Sequence, residues 1–317
     1  MPEAEYLGRD GTRARVRILV FGAGVIGRIY AARLVIAGHE VSILSRGATT
    51  DELRSKGIRL VRGGGVEVRV SPRVIETTEA AGHVDLVFVA VRLDQVDAAL
   101  VPVAALDADG VVSLINLPLG ADRLVRAVGT ERFVPAFPGV AGRLCGYGEV
   151  QYIQIAQQPT VIGDGPVREM AISALTSARF PTKATKDMDA WLKTHAIFIS
   201  AFESALAAVS GDAHTLASDS AAVDELVRAV REGFTALAGR GVLITPAALR
   251  IIFQSMPVWF ATRYWCRQLE GEMGRLALAP HAIATQHSEL VALQQDVRTL
   301  LGGTATPRME HLFTSSQ

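Results

Sequence analysis

The residues that point most directly to chemistry form a glycine-rich turn near the start of the chain. Gly22-Ala23-Gly24-Val25-Ile26-Gly27 has the spacing G-x-G-x-x-G, directly after the apolar run Val16–Phe21 and directly before a helical stretch. In that context the first glycine allows a tight turn, the second lets a pyrophosphate approach the backbone, and the third lets the helix pack close to the strand. The first helical turn adds free N–H groups and a positive dipole end. The motif predicts a dinucleotide site; a purely structural turn is the alternative.

The end of the next expected strand indicates which dinucleotide binds. Leu44-Ser45-Arg46 stands where a site for NAD(H) places Asp or Glu to accept hydrogen bonds from the ribose. A guanidinium binds a phosphate through two parallel hydrogen bonds, and Ser45 adds a donor. The sequence therefore predicts NADP(H) as cofactor. A solvated Arg46 is the alternative.

Two more strand ends carry candidate residues, because open α/β sheets bind ligands at the carboxyl ends of their strands. Val91 and Arg92 follow one apolar run, and Asn116 ends another. We expect Val91 and Arg92 to contact the cofactor and Asn116 to act near its nicotinamide. A solvated arginine and a strand-end hydrogen bond for Asn116 are the alternatives.

The elements that would position these residues change character midway along the chain. The first half alternates short β-rich runs with helical segments, whereas from Asp187 onward apolar residues recur at helical spacing and strand signals vanish. This pattern predicts an α/β fold: an N-terminal Rossmann domain with a parallel sheet (residues 16–184), followed by an all-α C-terminal domain (185–317) for substrate binding and dimerisation. Residues 1–15 are expected to form a flexible tail.

Individual elements are predicted as follows. Strands are expected at Val16–Phe21, Glu40–Leu44, Val84–Val91, Val111–Asn116, Phe133–Ala136, Tyr147–Ile155 and Thr160–Ile162 in one sheet, with a hairpin at Ile58–Leu60 and Val66–Val70. Helices are expected at Val25–Ala37, Thr50–Lys56, Trp191–Val209, Ser220–Ala238, Pro246–Gln254, Met256–Glu270 and His281–Leu301.

Composition narrows the class of protein. Among 317 residues, 32 Lys and Arg balance 32 Asp and Glu, so no net field recruits nucleic acid or an anionic membrane. Apolar runs are too short to span a bilayer, and the polar N-terminus lacks the apolar core of a signal peptide. Cys145 and Cys266 show neither a disulfide framework nor a metal-binding spacing, which favours the cytoplasm and no metal. A mean hydropathy of +0.27 favours a homodimer through the helical domain.

Four segments make the chain resemble the ketopantoate reductases over nearly its whole length. They are FGAGVIGRIYAARLVIAGHEVSILSRG, VDLVFVAVRLDQVDAAL, LINLPLGADRLVRAVGTERFV and MDAWLKTHAIFISAFESALAA. The first is shared with many dehydrogenases, and the W-x-K in the last is more distinctive. The resemblance implies that Lys193 is the catalytic lysine, which supports the substrate carbonyl and delivers a proton. It also matches Asn116 to the Asn of the family's N-G-x-G loop, although Leu117-Pro118 replaces the glycine.

The resemblance weakens at the substrate site. Ile197 and Ala201 replace the asparagines that follow the family's lysine by one and two turns, and Arg92 stands where a lysine is common. Ser200 and Ser204 lie near the face of Lys193 and are candidate substitutes, with helix packing as the alternative. The acidic segment that binds the substrate hydroxyl is also missing. Candidate replacements for that segment are Glu272, His281, Ser288 and Glu289.

The sequence thus favours an NADPH-dependent reductase that converts a 2-keto acid or ketone to an alcohol. Loss of polar ligands indicates a substrate larger or less polar than ketopantoate. The aromatic residues Trp259, Phe260, Tyr264 and Trp265 are candidates to line its pocket, with helix packing or a dimer interface as the alternative. His195 points roughly opposite Lys193 and is expected to be a core or interface histidine. The alternatives are a related hydroxyacid or amine dehydrogenase and a non-catalytic NADP-binding sensor or scaffold.

Overall fold

The computed structural model describes residues 15–62, 65–280 and 286–316. Of the expected N-terminal tail only Arg15 falls within this part. His281, proposed above as a substrate residue, lies outside the described residues.

The described residues form two sheets and a series of helices. The strands are β1 (Arg17–Phe21), β2 (Glu40–Leu44), β3 (Ile58–Arg62), β4 (Gly65–Val70), β5 (Arg73–Ile75), β6 (Val84–Val89), β7 (Ala108–Ser113), β8 (Phe133–Phe137), β9 (Val140–Gly146), β10 (Glu149–Gln154), β11 (Thr160–Ile162) and β12 (Thr182–Ala184). The helices are α1 (Val25–Ile36), α2 (Ala48–Lys56), α3 (Val96–Ala104), α4 (Asp122–Val128), α5 (Arg168–Ser177), α6 (Met188–Ala207), α7 (Ala213–Ser218), α8 (Ser220–Gly239), α9 (Ala247–Arg250), α10 (Val258–Glu270), α11 (Gln286–Leu301) and α12 (Pro307–Ser315). Short 3-10 turns cover Glu79–Ala81 and Leu93–Gln95, and π-helical turns cover Ile251–Ser255 and Met273–Leu278.

The main sheet has eight strands in the order β12-β11-β8-β7-β6-β1-β2-β5. The six strands from β8 to β5 run parallel, and β11 joins β8 in the antiparallel sense. The central strands are apolar on both faces because helices cover both sides of a parallel sheet. Alternate residues therefore enter two cores: Ile18 and Val20 pack with α1 and α5, and Leu19 and Phe21 face the other side. The predicted fold class, a Rossmann-type α/β region followed by helices, is confirmed.

The prediction that Tyr147–Ile155 completes the main sheet is wrong. The strand within this segment, β10, pairs with β9 and β3 in a second, four-stranded sheet of order β4-β3-β10-β9. The predicted hairpin, β3 with β4, forms the other half of this sheet. Local alternation identifies a strand but not its partner, because pairing across some ninety positions of sequence is not encoded in the strand itself.

The second half of the described chain is helical after β12 ends at Ala184. Its central helix, α6, is buried along nearly its whole length, and α8, α11 and α12 pack around it. The core on one face of the main sheet continues without a break into this helical region. The expected helix Pro246–Gln254 is instead the short helix α9 followed by a π-helical turn. Among the described helices, none combines the length and apolar character needed to cross a bilayer.

Candidate functional site

One cavity of about 2000 Å³ lies between the carboxyl edge of the main sheet and the helical region. Its lining includes the glycine-rich turn, the end of β2, one face of α6, and residues of α10 and α11. Asn116 and the residues after β6 lie on the wall as well. Since ligands of open α/β sheets bind at this edge, the cavity is the candidate functional site.

The glycine-rich turn has the geometry that a pyrophosphate requires. Gly22 has φ +113°, and an added Cβ would lie 2.5 Å from the carbonyl oxygen of Ala90. A Cβ on Gly27 would lie 1.9 Å from the carbonyl oxygen of Gly22, so that glycine sets the close contact between α1 and the turn. A Cβ on Gly24 would meet no described atom within 4 Å. Close packing therefore explains why positions 22 and 27 require glycine. At Gly24 the space that a side chain would fill is open, and Gly24 lines the cavity together with Ala23, Val25 and Ile26.

A buried arginine that the sequence motif does not include holds the turn in place. Arg28 Nε donates to the carbonyl oxygen of Ala23 at 2.9 Å, and its Nη2 bonds Glu52 Oε2 at 2.8 Å. The other oxygen of Glu52 accepts from the backbone N–H of Gly148 at 2.8 Å. The turn, α2 and the second sheet are thus tied together through one charge-assisted network.

The residues at the end of β2 lie on the cavity wall, and their expected contact with a phosphate stays a prediction. Ser45, Arg46 and Thr49 all line the cavity. Ser45 is buried, and its Oγ lies 2.8 Å from Thr50 Oγ1. Arg46 is exposed and makes no ion pair with another described residue. This end of the cavity therefore presents a cation and hydroxyl groups together, a donor set that suits a phosphate.

Arg92 and Val91 also line the cavity, but Arg92 is engaged. Its Nε and Nη2 bond the two carboxylate oxygens of Asp94 at 3.0 and 3.1 Å, and its Nε lies 3.9 Å from Glu289 Oε2. Glu289 Oε1 accepts from the backbone N–H of Leu93 at 3.2 Å. Arg92 thus belongs to a junction between the loop after β6 and α11.

Asn116 lies on the cavity wall, beyond the end of β7 at Ser113. Its Oδ1 is buried and has no hydrogen-bond partner among the described residues. A buried carbonyl oxygen without a partner carries a desolvation cost that a bound donor would remove. The expected role of Asn116 toward a ligand stays a prediction, and its position is compatible with it.

The face of α6 that lines the cavity is not the face expected from the sequence. Trp191, His195, Ile199 and Glu203 follow one another at four-residue spacing, and all four line the cavity. The ring of His195 stacks on Trp191 with centroids 5.0 Å apart and lies 4.3 Å from that of Phe137. His195 is buried, as expected, but it lies at the site rather than away from it.

The structure places Lys193, Ser200 and Ser204 on the opposite side of α6. Lys193 Nζ bonds Asp189 Oδ2 at 2.5 Å, one turn earlier on the same helix, and the residue is not among those lining the cavity. Ser200 and Ser204 are fully buried and bond the carbonyl oxygens of Ile197 and Ser200 at 3.1 and 2.7 Å. Those bonds are typical of serines packed inside a helix bundle. The expected substrate role of the two serines has no support from this geometry, and a catalytic role for Lys193 stays a prediction.

Two carboxyl groups stand on the cavity wall instead, Glu203 on α6 and Glu289 on α11. Burial raises the pKa of Glu203 well above its usual range, and the neighbouring Glu289 raises it further. Burial raises the pKa of Glu289 to about 7, against the opposing effects of the Leu93 N–H and Arg92. In both members of this acid pair the shift favours the protonated carboxyl, which is the form that donates a proton.

The other residues proposed from the sequence fall into two groups, those that line the cavity and those that do not. Of the proposed replacements for the missing acidic segment, Glu289 lines the cavity, whereas exposed Glu272 does not, and Ser288 Oγ bonds Asp94 Oδ2 at 3.0 Å. Of the four aromatic residues, Phe260, Tyr264 and Trp265 line the cavity, and Trp259 is 68% exposed outside it.

Sequence reasoning missed Glu203. A signal for it was present: it is the one acidic residue between Thr194 and Val209, a span that apart from His195 is apolar or small and that folds into the buried helix α6. A glutamate is almost never fully buried unless it has partners or a function.

Comparisons with known proteins agree with this architecture. Residues 18–166 match the family described as ketopantoate reductase PanE/ApbA. A curated 2-dehydropantoate 2-reductase from Mesorhizobium japonicum is 36% identical over 105 residues, 32% of this chain and 32% of that protein. The matched stretch thus spans about a third of that relative.

Solved structures show the same fold over almost the whole chain. A 2-dehydropantoate 2-reductase from Geobacter metallireducens GS-15 superposes with a TM-score of 0.74 at 18% identity, covering 95% of this chain and 98% of that one. A D-mandelate dehydrogenase, solved with NADH and anilino(oxo)acetate, gives a TM-score of 0.73 at 16% identity, covering 94% and 97%. Over residues 18–166 the chain therefore carries a domain of the ketopantoate reductase PanE/ApbA family.

Proposed function

We propose that the protein is an NADPH-dependent reductase that converts a carbonyl group to an alcohol. The observation that carries this proposal is one cavity whose lining includes both the glycine-rich turn and the Glu203–Glu289 acid pair. A dinucleotide site and a proton-donor site in one cavity are the two parts that carbonyl reduction requires.

The residues of the glycine-rich end fit the cofactor. The pyrophosphate would lie over Gly24 at the start of α1, because the space above that residue is open and the N–H groups of the first turn have no side-chain cap. Ser45, Arg46 and Thr49 would hold the 2′-phosphate that distinguishes NADPH from NADH. When bound, the cofactor supplies the hydride that adds to the carbonyl carbon.

The acid pair would supply the proton. As the carbonyl oxygen gains negative charge, the protonated carboxyl of Glu203 would donate its hydrogen and become a carboxylate, which would then take a proton from water. Asn116, whose amide has both donor and acceptor atoms, would orient the carbonyl or the nicotinamide amide. The net reaction consumes one carbonyl compound, one NADPH and one proton.

The first test is to titrate the purified protein with NADPH and NADH and then to follow nicotinamide absorbance with a panel of ketones and 2-keto acids that includes ketopantoate. Tighter binding of NADPH, followed by its oxidation with at least one carbonyl compound, is the expected result. Failure to bind either cofactor would overturn the proposal.

One observation favours a second candidate, the non-catalytic NADP sensor. Lys193, the residue that the family resemblance makes catalytic, bonds Asp189 rather than lining the cavity. The sensor reading predicts tight NADPH binding without turnover on any carbonyl compound. It also predicts that Glu203→Gln alters stability and leaves NADPH affinity unchanged.

A further inference from the structure

The glycine-rich turn is bonded twice by one residue of the helix that follows it. Arg28, in the first turn of α1, is 3% exposed and lines the cavity. Its Nε donates to the carbonyl oxygen of Ala23 at 2.9 Å, and its backbone N–H donates to the carbonyl oxygen of Gly24 at 3.0 Å. The second bond is an ordinary helical bond, whereas the first requires a long side chain with a suitably placed donor. Arg28 thus fixes two successive carbonyl groups of the turn.

These bonds also set the direction of two N–H groups. A trans peptide is planar, so the N–H of each peptide unit points opposite to its carbonyl oxygen. Because the oxygens of Ala23 and Gly24 are directed at Arg28, the N–H groups of Gly24 and Val25 are directed away from it. Gly24 and Val25 line the cavity, and α1 begins without a side-chain cap. N–H groups at such a helix start are the donors that bind a phosphate.

The guanidinium of Arg28 is in turn anchored outside the glycine-rich turn. Its Nη2 bonds Glu52 Oε2 at 2.8 Å, and Glu52 Oε1 accepts from the N–H of Gly148 at 2.8 Å. The carbonyl oxygen of Gly148, between β9 and β10, accepts from the N–H of Arg59 on β3 at 2.9 Å. A continuous series of hydrogen bonds therefore runs from the second sheet through Glu52 to the turn.

Glu52 is suited to hold a cation at this place. Burial opposes its ionisation, but the hydrogen bonds from Arg28 and from the Gly148 N–H lower the pKa of this carboxyl below its usual range. The carboxylate is therefore ionised at neutral pH and pairs with the guanidinium as a charge-assisted bond.

We propose that Arg28 and Glu52 are positioning residues for the cofactor, which hold the glycine-rich turn in the orientation that binds the pyrophosphate, with the second sheet as their anchor. The proposal rests on the proposed binding of NADPH and deepens it, since both residues lie outside the G-x-G-x-x-G motif. NADPH and NADH share the pyrophosphate. The role of this pair thus differs from that proposed for Arg46, which concerns the 2′-phosphate alone.

The same helix supplies a matched control. Arg33 of α1 is also buried, at 7% exposed. Its Nε and Nη2 bond the carbonyl oxygen of Ala178 at 3.1 and 3.0 Å, and its Nη1 bonds Glu67 Oε1 at 2.6 Å. Arg33 is not among the residues that line the cavity. Arg28 and Arg33 therefore make the same kinds of bond, one beside the proposed cofactor site and one away from it.

The test compares a ligand that has a pyrophosphate with one that lacks it. NADP⁺ and 2′-AMP are titrated calorimetrically into the wild type, Arg28→Lys and Arg33→Lys. Lysine keeps the charge but lacks the fork that bonds the Ala23 carbonyl and Glu52 together, so Arg28→Lys should weaken NADP⁺ binding at least about tenfold and 2′-AMP binding less than about twofold. Arg33→Lys should change neither affinity more than about twofold, even where it lowers Tm as much. Unchanged NADP⁺ affinity in Arg28→Lys, or an equal loss for both ligands, would overturn the proposal.

A second variant decides the question if Arg28→Lys folds poorly. Glu52→Gln keeps the size of the side chain and removes its charge, so NADPH and NADH should both bind at least about threefold more weakly, with an unchanged ratio between them. Glu67→Gln, which alters the partner of Arg33, is its control and should leave both affinities unchanged. A loss confined to NADPH would contradict a role at the pyrophosphate.

Turnover separates this inference from the proposed function. We expect Arg28→Lys to raise the KM for NADPH and to leave kcat nearly unchanged, because the chemistry follows once the cofactor is bound. Reduction of a carbonyl compound by Arg28→Lys with an unchanged KM for NADPH would overturn the positioning role and leave the reductase function standing. The expected loss of NADP⁺ affinity, in a protein that reduces no carbonyl compound, would instead overturn the reductase function and leave the positioning role standing.

Discussion

At the scale of single residues, the three glycines of the turn have different tasks. Gly22 is required by its positive φ and by the Ala90 carbonyl, and Gly27 by the contact with Gly22. Gly24 has open space in place of a contact. Substitutions at these positions should therefore separate folding from cofactor binding.

We predict that Gly24→Ala lowers NADPH affinity at least about tenfold with little change in thermal stability, since its Cβ would enter only the open space in which the pyrophosphate would lie. Gly22→Ala should destabilise the protein by more than about 2 kcal/mol, because the new Cβ clashes with backbone at a positive φ. Fluorescence titration and thermal melts measure the two effects. A Gly24→Ala protein that binds NADPH normally would contradict the placement.

A second residue-scale prediction concerns cofactor choice. Arg46→Ala should weaken NADPH binding about tenfold or more and leave NADH binding nearly unchanged, because only NADPH carries the phosphate that the guanidinium would hold. Arg54→Ala is the matched control, since Arg54 is an exposed arginine on α2 that pairs with Glu76. An equal loss of affinity for NADPH and NADH would indicate that Arg46 supports the local structure and does not bind the phosphate.

At the scale of elements, α6 decides which side chains reach the cavity. The strand-turn-helix unit of β1 and α1 was predictable because an apolar strand, the glycine spacing and the following helix all agree locally. The orientation of α6 was not predictable, because a helix that is apolar on nearly all sides has no polar stripe to mark its exposed face. Hence the W-x-K pattern pointed to Lys193, whereas packing turns Trp191, His195 and Glu203 toward the cavity.

The packing of α11 against the cavity gives a prediction on pH. The pKa of Glu289 rises from its ordinary 4.5 to about 7 in the folded protein. Between these values the folded state binds more protons than the unfolded state, so this residue lowers stability as pH rises from about 4.5 to about 7. Glu289→Gln removes that loss.

Relative to the wild type, Glu289→Gln should therefore gain stability across this range, by up to about 3 kcal/mol. Denaturant unfolding of both proteins at a series of pH values measures the difference. A difference in unfolding free energy that does not change with pH would contradict a protonated Glu289 at neutral pH.

At the scale of the whole molecule, the sheet and the helical region share one continuous core. The pairing of β10 with β3 and the contact of Glu289 with the loop after β6 likewise join parts far apart in sequence. Such contacts could not be predicted from local patterns, which show which segments are strands and helices but not which of them meet.

The shared core predicts that the two regions unfold together. Calorimetry should show one transition, and NADPH at 100 times its Kd should stabilise the whole molecule by about 2.7 kcal/mol, moving that transition upward by a few degrees. Two separate transitions, of which only one responds to NADPH, would contradict a core that couples the regions.

The most direct test of Glu203 as the proton donor compares three proteins side by side: the wild type, Glu203→Gln and Lys193→Ala. Their rates of NADPH oxidation are measured with a carbonyl substrate found in the panel. Removal of a general acid typically costs about 10²–10⁴ in rate. We predict a kcat loss of that order for Glu203→Gln, with NADPH affinity retained, and a change of less than about threefold for Lys193→Ala. A large loss in Lys193→Ala together with full activity in Glu203→Gln would show that the lysine face of α6, and not the acid pair, carries the reaction.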